Sequence, residues 1–150
     1  MKKFIAIVTL GLFAAAAPVK AAPGSAILEE QYKAALSHLT QDVLQAPDPA
    51  VKRKILNHFM DGMQNGLRNA ENLESLQAGD RQTVKTMADR FTAYKAELEG
   101  LDGFARVADA DLNAFAGYVQ QGMEQAPVGG GVYLSGTVLI VILLLLIFLL

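Results

Sequence analysis

Gly129–Leu150 reads GGGVYLSGTVLIVILLLLIFLL, and the kind of molecule this chain makes turns on what that segment becomes. From Gln125 onward there is no charged side chain, and the most apolar part, VLIVILLLLIFLL from Val138, runs to the last residue. As a helix rising about 1.5 Å per residue, 22 residues would reach about 33 Å. A bilayer core is about 30 Å thick. The sequence therefore predicts a single C-terminal transmembrane helix over 132–150, with Tyr133 as the ring that meets the head groups. Just before it, Pro127 and Gly129–Gly131 read as a hinge over 127–131, because glycine leaves the backbone too free to carry a rigid helix into a membrane.

The start of the chain carries a second address. Lys2 and Lys3 precede an apolar run, Phe4–Ala17, that Pro18 breaks, and Val19-Lys20-Ala21 presents small residues where a signal peptidase cuts. This is the three-part pattern of a secretory signal over 1–21. Its 14-residue apolar run would span only about 21 Å, short for a membrane span. Without cysteine, the chain can carry no disulfide, thiolate chemistry or cysteine-linked lipid. Removing Lys2, Lys3 and Lys20 with the signal leaves 10 basic against 15 acidic groups. An acidic exported domain is a poor match for nucleic acid. Together the two ends place the protein in a bacterial inner membrane as a single-pass protein, its body facing the periplasm.

That body, 22–126, reads as helix throughout. Ser25 is placed to cap a first helix with Leu28, Tyr32, Ala35 or Leu36, Leu39 and Val43 on one face, ending at Pro47. Asp48 and Pro49 suit the cap and first position of a second helix, which carries Val51, Ile55 or Leu56, Phe59, Met63, Leu67, Ala70, Leu73 or Glu74, and Leu76 and stops near Gln77 before Gly79. Asp80 caps a third helix whose apolar residues Val84, Met87, Phe91, Tyr94 and Leu98 recur at gaps of 3, 4, 3 and 4. Gly100 and Gly103 bracket a turn. A fourth helix from about Asp109 buries Leu112, Phe115, Val119 and Met123. No run alternates with period two, so strands are not expected. The fold class that follows is all-α: a small up-and-down bundle of three to four amphipathic helices, then the transmembrane helix.

Few residues invite chemistry. His38 and His58 each have a carboxylate one turn on, Asp42 and Asp61, but a zinc site wants three or four ligands. Ser25, Ser37, Ser75 and Ser135 sit in no nucleophile-elbow pattern. Asp109 and Asp111 are a close pair of acids, which capping and the helix dipole explain fully. Lys52-Arg53-Lys54 places positive charge where the dipole disfavours it, and reads either as a partner-docking patch or as a solvated face. Gly62 and Gly66, four apart inside a helix, mark either a close approach by a neighbouring helix or a kink. Gly131 and Ser135 form a small-xxx-small pair that could seat a second span and make a homo-oligomer.

These features point away from enzymes, metals and cofactors. They predict a membrane-anchored envelope protein whose exported bundle serves as an interaction or scaffold module, with the lipid bilayer and another envelope protein as its partners. Two alternatives stand beside it. One is a periplasmic helical module that holds a small apolar ligand, with Phe59, Phe91, Tyr94 and Phe115 lining the pocket. The other is a surface protein whose apolar tail is a processed sorting or lipid-anchor signal.

Overall fold

The computed structural model describes residues 23–125 and 135–149, with side chains from Glu30 onward in the first of these ranges. Five helices form: α1 (Pro23–Gln45), α2 (Pro49–Glu71), α3 (Ala78–Glu99), α4 (Leu112–Gln125) and α5 (Gly136–Leu149). A short 3-10 turn, Asp109–Asp111, leads into α4. The described residues contain no strand.

Local chemistry sets several helix ends. The Asp48 carboxylate accepts from the Val51 N–H at 2.9 Å, and Pro49 opens α2 where a missing N–H costs nothing. α1 begins at Pro23, ahead of the expected cap Ser25. α2 ends at Glu71 rather than near Gln77, and 72–77 turns so that Leu76 reaches the core while Leu73 faces outward. Gly79 is no stop: it lies in the first turn of α3, and Asp80 follows it there, where its charge suits the dipole. α3 does end at glycine. Gly100 takes φ 71°, and a Cβ on it would meet the Arg106 backbone, whose N would lie 2.7 Å away.

The helices run alternately up and down. Arg53 reaches Leu98 and Gln64 reaches Thr92, which makes α2 and α3 antiparallel. Tyr32 pairs with Met123 and Thr40 with Gln120, which sets α4 antiparallel to α1. Leu149 lies against Gly62 and Leu145 against Gly66, so α5 runs antiparallel to α2. α2 touches each of the other helices and is the centre of the bundle. The core holds the stripes the periodicity marks: Tyr32, Leu36, Leu39 and Val43 from α1, Leu56, Phe59, Met63 and Leu67 from α2, Val84 to Leu98 from α3, and Leu112, Phe115, Val119 and Met123 from α4.

The apolar tail overturns the expected architecture. α5 has 14 residues and is about 21 Å long, well short of a bilayer core. Among the described residues no helix is long and apolar enough to cross a membrane. Instead α5 is the fifth helix of the bundle and buries Val138, Leu139, Ile142, Leu143 and Leu146 against α1 and α2. The physical reason is that apolar side chains need only an apolar environment, and the α1–α2 surface supplies one as lipid would. With the span go the expectations built on it: lipid bilayer as partner, single-pass placement in the inner membrane with the body facing the periplasm, oligomerisation through the membrane, and a scaffold held by a membrane anchor. Tyr133, Gly131 and the 127–131 hinge lie outside the described residues, as does the 1–21 signal.

One core polar group makes a testable demand. The Tyr32 hydroxyl, buried between α1 and α4, donates to the Met123 carbonyl at 2.9 Å. Burial, and secondarily the charge of Glu124, push its pKa far above the ordinary tyrosine value. The unfolded chain loses this proton from about pH 10 while the folded chain keeps it. The stability it contributes is thus complete below about pH 10 and falls as pH rises further. Tyr32→Phe should flatten that alkaline decline, at a cost near neutral pH of about 1 kcal/mol for the lost hydrogen bond. Urea midpoints at pH 7 and pH 11 would check both. An alkaline decline equally steep in the variant would show that other groups cause it.

Candidate functional site

An apolar groove opens where α1 ends and α2 begins. On α2 the residues Val51, Ile55 and Phe59 fall on one face at steps of four, and Leu39 of α1 stands opposite. Leu149, from the end of α5, closes the third side. The groove has a volume of about 260 Å³. Sites for drug-sized ligands begin at roughly 300 Å³, so the groove would admit only a small or partly enclosed ligand. Its polar residues are Asp42, Lys54 and His58, all solvent-exposed. An apolar floor with a few polar groups at the rim is the usual make-up of a small-molecule site.

The aromatics expected to line a pocket do something else. Phe59 and Phe91 pack edge to face at 5.7 Å between centroids, and Phe91 meets Tyr94 the same way at 6.1 Å. Tyr94 continues onto Tyr118 and that onto Phe115. These rings pack on one another from the buried Phe59 and Phe91 outward to the half-exposed Tyr118. Burial raises the Tyr94 pKa, with Tyr118 adding to it. Only Phe59 reaches the groove. Phe115 borders a separate open recess with Arg106, Val107 and Tyr118.

The basic triplet divides into three roles. Lys52 donates to the Asn113 side chain of α4 at 2.7 Å. Arg53 is buried, and its guanidinium donates to Leu98 O at 2.9 Å, to Val107 O at 2.7 Å and to Asp109 Oδ1 at 2.9 Å, with Glu99 at 3.9 Å. It therefore holds the end of α3 and the 100–108 loop onto α2 and cannot meet an outside partner with its charge. A sequence signal for this existed: Arg53 extends the stripe Leu56, Met60, Met63, Leu67 by the same steps of three and four. Lys54 is exposed, and its ammonium has no partner among the described residues.

The remaining candidates are soon placed. Gly62 and Gly66 lie within an unbroken α2, where a Cβ on either would collide with Leu149 or Leu145 of α5. Ser135 accepts from the Val138 N–H at 3.3 Å and so caps α5. Asp109 is engaged by Arg53, while Asp111 faces solvent from the 3-10 turn. His38 is exposed on α1, and the described residues hold no group of three or more His, Asp or Glu side chains suited to a metal ion. Asp61 pairs with Lys95 across α2 and α3.

The other surface of note is the outer face of α5, where Ile140, Leu144, Ile147 and Phe148 are exposed, Phe148 to 90%. Comparison of the chain with family models, curated proteins and solved structures returns no match.

Proposed function

We propose that this chain is a helical binding module that holds a small apolar ligand in the groove between α1, α2 and the end of α5. The observation that carries the reading is the apolar floor of Leu39, Val51, Ile55, Phe59 and Leu149, open to solvent beneath a sparse polar rim. A floor of this kind gains free energy from apolar contact, by about 25 cal/mol per Å² removed from water. The rim residues Asp42, Lys54 and His58 suit holding a ligand, and the module is read as a binder. The signal-like start, residues 1–21, supports an exported location.

Titration of the folded chain with octanol, followed by amide NMR, should shift the signals of Leu39 and of residues 51–59. Ile55→Trp, which fills the groove, should weaken binding at least tenfold while leaving the helical content intact. If octanol shifts only the outer face of α5, around residues 140–148, the groove is not the site and the reading fails.

A further inference from the structure

Lys54 borders two cavities at once. On one side of it lies the apolar groove. On the other is an open recess of about 480 Å³ lined by Ala50, Arg53, Lys54, Asn57, Arg106 and Asp109. The two share a wall because positions 51, 55 and 59 of α2 face the groove, positions 50, 53 and 57 face the recess, and 54 falls between.

Charge is distributed unevenly across that wall. The recess gathers Arg53, Lys54 and Arg106. Against them stand Asp109, already engaged by Arg53, and Glu99, which accepts from Asn57 at 2.6 Å and lies 3.9 Å from Arg53 and 4.0 Å from Arg106. Three cations thus face two carboxylates: Asp109 is held closely by Arg53, and Glu99 lies between Arg53 and Arg106. That leaves Lys54 without a partner among the described residues and Arg106 only loosely paired, its side chain 58% exposed. The groove side has a different balance, because Asp42 stands at its rim with Lys54 and His58. An anion in the groove would meet Asp42 beside Lys54; past Lys54 it would meet Lys54 and Arg106, with Asp109 held by Arg53.

Resting on the ligand-groove reading, we infer that the ligand is a small anionic amphiphile, its chain on the floor of Leu39, Val51, Ile55, Phe59 and Leu149 and its carboxylate or phosphate head drawn across Lys54 to Arg106. The apolar part supplies contact area, and the two exposed cations select for charge.

The test compares decanoate with decanol, equal in chain length, on the full chain at neutral pH and below the micelle concentration of decanoate. Decanoate should bind more tightly by about fivefold, the worth of one exposed ion pair. The double variant Lys54→Gln, Arg106→Gln should lose that preference yet still bind decanol, and Lys54→Arg should keep it. Both side chains are exposed, so folding is not at stake, and circular dichroism confirms it. Equal affinity for the two probes, tighter binding of decanol, or a preference that survives in the double variant would each overturn the inference while leaving the groove reading in place. Failure of both probes to bind would remove the groove reading itself and the inference with it.

Discussion

Replacing Gly66 by leucine is expected to lift α5 off the bundle. The Leu145 side chain lies against the Gly66 backbone, and every terminal atom of it would collide with a new Cβ. The helix itself would gain about 1 kcal/mol from the change, since glycine is the poorer helix former by that amount. Lost packing outweighs that gain. α5 buries Val138, Ile142 and Leu146 completely, and each buried aliphatic side chain contributes roughly 1.5–3 kcal/mol. Even after discounting for a compact unfolded state, the loss should be about 3–6 kcal/mol. Hydrogen exchange reads the effect directly: the amides of 138–149 should lose protection far more than those of α3. Gly66→Ala should be much milder, because a single methyl asks Leu145 only to turn aside while the helix gains. Unchanged protection of 138–149 in the leucine variant would mean that α5 does not sit against this face of α2.

Arg53→Met should cost about 2–4 kcal/mol, although it exchanges one long side chain for another. The guanidinium donates to Leu98 O, one of the last-turn carbonyls of α3 that no helical N–H can reach. It also places a cation at the negative end of the α3 dipole. A second donor holds Val107 O, which is what fastens the 100–108 loop. Each hydrogen bond to a charged group is worth about 1.5–3 kcal/mol, and the buried carbonyls would be left without donors. The ion pair with Asp109 adds little, because that carboxylate is 65% exposed and water takes over its solvation. Urea unfolding should show a lower midpoint at unchanged slope. Lys54→Met, one residue away on the exposed ridge, should move the midpoint by no more than about 0.5 kcal/mol equivalent. Equal effects from the two substitutions would refute the assignment of Arg53 as the staple between α2 and α3.

These two residues also show where legibility stopped. Arg53 stands in register with Leu56, Met60, Met63 and Leu67, so its position was readable. What its charge would meet was not, since Leu98 O and Val107 O come from sequence positions 45 and 54 residues away. The groove has the same origin: Leu39, Ile55 and Leu149 belong to three helices, and nothing in their separate periodicities says that a gap remains among them. Phe91 and Tyr94 were legible as apolar positions, but whether rings enclose a chamber or close on one another depends on how the helices settle.

Readable without any structure were the helical class, four of the five buried stripes, the Asp48-Pro49 start of α2 and the Gly100–Gly103 turn after α3. Each of these follows from side-chain period or backbone conformation within a few residues. The fate of VLIVILLLLIFLL was settled only in three dimensions. An apolar helix records that it must leave water, not whether lipid or protein will receive it, and here α2 receives it at two glycines that let Leu145 and Leu149 reach the backbone.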